Sequence, residues 1–150
     1  MIPKDIDERT NLILETSPNA VILFDRHMKP IDCNERALEM LGFTDKQEYM
    51  KKFYTLFPAR QPNGSDSIEM VAHYFSKALD DGIAYMPEFI CCRADGTTFP
   101  VETTYTRIVY NNDYAIVEYS NDITEKMLHA KGRMHLKKDC VSRNSVTTFD

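Results

Sequence analysis

A chain of 150 residues is about one domain long, and a 43% hydrophobic share with eight Phe and eight Tyr supplies material for one core. Charged residues are scattered and sum to a net −5, which argues against nucleic acid as a partner, because phosphate recognition relies on clustered Lys and Arg. The longest apolar run, residues 20–24, is far below the ~20 residues that span a bilayer, and the N-terminus shows no apolar region of a secretory signal.

In chain order, residues 4–17 are expected to be helical, with Ile2, Ile6 and Ile13 near helical spacing and Ser17-Pro18 as the stop. Residues 20–24 read as a short strand, apolar on both faces and so covered on both sides. A turn at residues 25–29 leads to a second strand, residues 30–33, placed near an edge because it begins with Pro30. Asn34 is the expected N-cap of a helix from Glu35 to Leu41, and Gly42 its left-handed terminator. Thr44 is the expected cap of another short helix through residue 52. Residues 53–66, with Pro58, Pro62 and Asn63-Gly64, read as an irregular loop.

The clearest helix is expected over residues 67–81, where Ile68, Val71, Ala72, Phe75, Ala78 and Leu79 form one apolar stripe. Three strands follow: residues 85–93, residues 97–109 after the Ala94-Asp95-Gly96 turn, and residues 114–120 after Asn111-Asn112-Asp113. Asp122 or Thr124 is expected to cap a last helix running to about residue 130. Five hairpin-connected strands with helices grouped between them imply an antiparallel α+β fold.

Several short pieces, in this order, carry a resemblance. They are Ser17-Pro18-Asn19-Ala20-Val21, Asn34-Glu35-Arg36-Ala37, Gly42-Phe43-Thr44, Arg93-Ala94-Asp95-Gly96-Thr97, Phe99-Pro100-Val101-Glu102 and the closing Asp122-Ile123-Thr124-Glu125. Over residues 10–126 they resemble the PAS family of sensory domains, and the stretch from Phe57-Pro58 to Asn63-Gly64 is similar to members found in bacterial sensor kinases, cyclic-di-nucleotide enzymes and chemoreceptors. The resemblance implies a five-stranded sheet in the order 2-1-5-4-3 with helices closing a small cavity on one face. It also implies a division into a flanking, dimerising helix (1–17), the PAS domain (18–124), and the start of a signalling helix with its tail (125–150).

On that reading the chain is a cytoplasmic module of signal transduction, a homodimer through its N-terminal helix and outer sheet face, which binds a small-molecule ligand in its cavity and passes the signal through its C-terminal helix to an output domain of a parent or partner protein. Val71, Phe75 and Leu79 are the helical candidates for the cavity wall; Phe89, Cys91, Tyr105 and Val117 are the strand candidates, assigned by alternation. Asp122 and Thr124 are the candidate relay, since a carboxylate and a hydroxyl at a strand-to-helix junction can cap the helix and bond back to the sheet. The alternative is a scaffold of the same fold without a ligand, serving as a homodimerisation and protein-interaction module.

Haem and flavin are cofactors this family hosts, yet no ligating motif for either stands out. His73, on the long helix, lies on the side opposite Phe75 and is expected to face solvent. The Asn-Cys-Arg-Phe-Leu-Gln-like motif of photoactive flavin members is missing. Cys33, Cys91, Cys92 and Cys140 do not space as a secreted disulfide framework, and His129, His135 and Cys140 do not space as a zinc site, so no metal is expected. No nucleophile, phosphate-loop or metalloprotease motif is present, and the chain is expected to sense and not to catalyse.

Overall fold

Burial on both faces makes Ala20–Asp25 the strand β1: Val21, Ile22, Leu23 and Phe24 are all shielded, as the two-faced apolar run requires. The computed structural model describes residues 14–131. Most of the expected N-terminal helix (1–13) and the tail 132–150, with His135 and Cys140, lie outside the described residues.

Strand β2, Pro30–Cys33, pairs antiparallel with β1 and forms one edge, where a missing proline N–H costs no ladder bond. Helix α1, Glu35–Leu41, begins at Asn34 and ends at Gly42, whose φ of 80° is the left-handed conformation that terminates helices. Helix α2, Lys46–Lys52, is capped by Asp45, whose carboxylate accepts from Gln47 N, one residue later than the expected Thr44. It runs into a 3-10 turn at Phe53–Thr55, so the expected loop begins as a tightened continuation of the helix.

Helix α3, Ser67–Asp81, follows the predicted span. Val71, Phe75 and Ala78 are buried, while Ile68 at its start is 41% exposed. Strands β3 (Ile83–Cys92), β4 (Thr98–Tyr110) and β5 (Asp113–Asp122) complete the sheet, and α4, Thr124–Lys131, leaves its end. The observed strand order is β2-β1-β5-β4-β3, the order expected.

Helices α1, α2 and α3 lie on one side of the sheet. That inner face carries Ile22 and Phe24 of β1, Met86 and Phe89 of β3, Phe99, Val101 and Tyr105 of β4, and Ile116 of β5. The outer face gathers Val21, Leu23, Ala115 and Val117 under Leu14, with Ile31, Ile108, Tyr110 and Tyr119 packed around them. Among the described residues, no helix is long and apolar enough to cross a membrane.

Candidate functional site: a cavity at the centre of the sheet

The inner face encloses a cavity of about 30 Å³. Two aromatic-rich segments close it from the helical side. Tyr49 of α2, Phe53 of the 3-10 turn and Phe57 of the loop that follows it are spaced four residues apart, and all three line the cavity. They interlock edge to face, with Tyr49–Phe53 centroids 6.0 Å apart, Phe53–Phe57 5.5 Å, and Phe57–Phe89 on strand β3 5.2 Å.

The loop carrying Phe57 is tied to the edge strand by a backbone bond from Cys92 N to Leu56 O (3.0 Å) and by one side chain. Gln61, 5% exposed, accepts from Ile90 N (2.8 Å) and donates to Ile90 O (3.1 Å) and Ser67 Oγ (2.9 Å), extending the sheet by one side-chain rung. Pro87 and Glu88 lie in a register shift of β3 between Met86 and Phe89, which both face the interior.

The polar pole of the cavity lies on β4 and β5. Thr103 and Ser120 are register partners with hydroxyl oxygens 2.9 Å apart, and Ser120 Oγ donates to Glu118 Oε2 at 2.9 Å. Glu118 sits on the central strand between Ile22 of β1 and Tyr105 of β4, 7% exposed. Burial pushes its carboxyl up to about 7, and the Ser120 hydrogen bond offsets part of that rise. Tyr49 and Tyr105 are held well above the usual phenol range, by burial first and by the Glu118 charge second. The Cys91 thiol is raised for the same two reasons, and the Cys33 thiol, away from the cavity, is pushed up to about 12 by burial. Neither is an activated nucleophile, which requires a lowered pKa.

Of the residues predicted from sequence, Val71, Phe89, Cys91 and Tyr105 line the cavity. Phe75 is buried beside it, edge to face with Phe24 (5.7 Å) and Tyr105 (6.0 Å), and is not in the wall. Leu79 is further off. Its carbonyl accepts from Arg107 Nη1 at 2.8 Å, so the last turns of α3 cover the sheet beyond the cavity. Val117 is corrected outright, because it packs on the outer face with Val21 and Leu23. The run Ala115-Ile116-Val117 is apolar on both faces, so alternation alone gives no phase, and a one-residue slip reverses the face. Glu118 and Ser120, which share the phase of Ile116, are the true wall residues.

Sequence reasoning also missed Tyr49, Phe53 and Phe57. Their i, i+4, i+8 spacing was the available signal, masked by reading residues 53–66 as one loop.

Where β5 ends, three elements meet. Arg93, just past β3, places its guanidinium 3.9 Å over the Phe99 ring and bonds Asp122 Oδ2 at 2.9 Å. Asp122 Oδ1 accepts from Thr124 N (2.8 Å) and from Thr124 Oγ1 (2.5 Å), fixing the first turn of α4. Ile123 and Met127 anchor that helix by burial, and Ile123 N donates to Pro100 O at 3.0 Å. The relay candidates Asp122 and Thr124 thus bond each other and, through Arg93, the β3–β4 hairpin.

A cavity of about 30 Å³ is well below the roughly 300–1,000 Å³ of drug-sized ligand sites. Neither a haem nor a flavin fits it as built, and among the described residues no histidine lines it; His73 is exposed. Among the described residues, no group of three His, Cys, Asp or Glu side chains is placed to hold a metal.

Comparison with known proteins bears on the fold. The chain is similar in structure to the PAS domain of a protein from Colwellia psychrerythraea, with a TM-score of 0.63 at 19% identity over 81% of this chain and 99% of that one. It is similar also to the PAS domain of an HTR-like protein from Haloarcula marismortui (TM-score 0.57, 20% identity, 80% and 93% covered). A third likeness is to a Rhodobacter sphaeroides LOV protein (TM-score 0.60, 16% identity, 81% and 69% covered). No curated protein matches in sequence. The family model described as the PAS domain matches residues 18–125, most of the chain, and with the observed 2-1-5-4-3 sheet this protein belongs to the PAS domain family.

Proposed function

We propose that the chain is a sensory module in which the state of the central cavity is passed along β5 to the Arg93–Asp122–Thr124 junction and out through α4. The observation that carries this reading is continuity: Glu118 and Ser120 of the wall and Asp122 of the junction lie on one strand, two residues apart in turn, and share its inner face. A shift of β5 at the wall therefore moves the carboxylate that holds the first turn of α4. The output lies in another domain of a larger parent or in a partner protein, and the module works in the cytoplasm, without catalysis of its own. The raised thiols of Cys33 and Cys91 support the last point.

Homodimerisation belongs to the same reading, with residues 1–17 as the flanking helix. Leu14 already packs on the apolar outer face, and Ile83 (56%) and Tyr85 (51%) leave apolar surface exposed on the same face of β3. One observation favours a second reading, a dimerising scaffold with no ligand: the cavity is small.

The test is Asp122→Asn, which weakens the Arg93 ion pair and the cap while leaving the cavity intact. Amide exchange of α4 is expected to speed up by about tenfold or more, since one charged cap contributes roughly 1–2 kcal/mol to the helix end, with the exchange of β4 and β5 unchanged. Equal exchange in α4 would remove the junction from the relay.

A further inference from the structure

The cavity wall combines two features that apolar packing does not require. One is a buried carboxyl on the central strand with a single hydrogen-bond donor, Ser120; among the described residues no cation offsets its charge. The other is a shell of five aromatic rings, Tyr49, Phe53, Phe57, Phe89 and Tyr105, around the same space. A buried carboxylate is costly unless a positive charge accompanies it, and aromatic faces attract cations. Anions are repelled by the same carboxylate, and an apolar guest leaves it unsatisfied.

We propose that this cavity binds a small ammonium ion, ammonium or methylammonium in size, through the Glu118 carboxylate and the surrounding aromatic rings. Size sets the class. A water needs about 10–15 Å³ of such space, so about 30 Å³ admits a guest of one or two heavy atoms. Met40 and Met86, also in the wall, are the side chains able to yield to a methyl group. The hydroxyl chain fixes polarity: Ser120 donates to Glu118 and leaves the carboxyl as the acceptor pole of the site.

The proton competes with this guest, because only the ionised carboxylate neutralises a cation. Among the described residues, the other titratable groups facing Glu118 are Tyr49 of α2, Tyr54 of the 3-10 turn, Cys91 of β3 and Tyr105 of β4; β1 contributes Ile22. All four are raised and stay neutral near pH 7, so Glu118 alone sets the pH dependence.

The proposal rests on the reading of the cavity as the sensing site, and one titration separates the two. Methylammonium chloride is added to the isotopically labelled full chain, with sodium chloride at equal ionic strength and sodium acetate as controls, and amide shifts are followed. With two heavy atoms, affinity is capped on the order of millimolar. Saturable shifts at Thr103, Glu118 and Ser120 are expected at about pH 8, roughly tenfold weaker at about pH 6, and lost in Glu118→Gln. That variant keeps the volume and an acceptor for Ser120, and its spectrum reports whether it is folded. No saturable shift, shifts that persist in Glu118→Gln, or equal shifts with acetate would overturn the amine site. Saturable, Glu118-dependent shifts with unmoved α4 amides would instead leave the site standing and overturn the relay.

Discussion

At about pH 8, Glu118→Gln is expected to be more stable than the parent by about 3 kcal/mol, and the difference is expected to vanish in acid. The parent buries a carboxyl whose value rises from 4.5 when the chain is unfolded to about 7 when folded. A group with a raised folded value binds its proton more tightly in the native state. Its contribution is therefore fully present below 4.5, declines by roughly 1.4 kcal/mol per pH unit as pH climbs towards 7, and is flat above that. The side-chain amide introduced by the substitution never ionises, fills the same volume and still accepts from Ser120. Denaturant unfolding of both proteins across this pH range, with the difference taken at each pH, isolates the one site. A constant difference between the two would mean that Glu118 is not buried as described.

The second large effect belongs to Asn34. This side chain is 1% exposed and makes four hydrogen bonds: its Oδ1 accepts from Val21 N (3.0 Å) and Ala37 N (3.0 Å), and its Nδ2 donates to Leu14 O (2.7 Å) and Asn19 O (2.9 Å). It caps α1, holds β1 and ties the incoming chain to both. Asn34→Ala removes the bonds to Val21 N and to the Leu14 and Asn19 carbonyls, while Ala37 N keeps its bond to the Asn34 carbonyl (3.2 Å); at about 1–3 kcal/mol for each group that stays dry, a loss of about 3–5 kcal/mol is expected. Asn34→Asp separates the roles. It keeps both acceptor bonds and turns an oxygen towards the carbonyls of Leu14 and Asn19. The cap of α1 is expected to survive while Leu14 is released from the outer face, seen as faster amide exchange confined to residues 14–19. Equal damage to α1 in both variants would contradict this division.

Much of the fold is legible because its local signals agree. Asn34 and Gly42 bracket α1, the 3.6-residue stripe sets α3, and Ala94-Asp95-Gly96 turns β3 into β4. The cavity is half legible for a physical reason. On α3, only Val71 reaches the wall, because the helix crosses the sheet and its later turns sit at Arg107; a stripe gives the buried face, not where the helix crosses. On β5, an apolar triplet erases the phase, and the carboxylate that breaks the alternation reads in sequence as a solvated acid. Its register partner Tyr105 falls on the wall by alternation, but the pairing of the two is a long-range fact no local pattern holds.

The most direct test of the relay is the amide exchange of α4 at one fixed pH near 8 in four proteins: the parent, Glu118→Gln, Asp122→Asn and the double variant. Removing the buried charge is expected to change the protection of α4 in the parent background and to have no further effect once Asp122 is replaced. An α4 that is indifferent to Glu118→Gln, or one that responds equally with and without Asp122, would contradict the passage of the cavity's state through that junction.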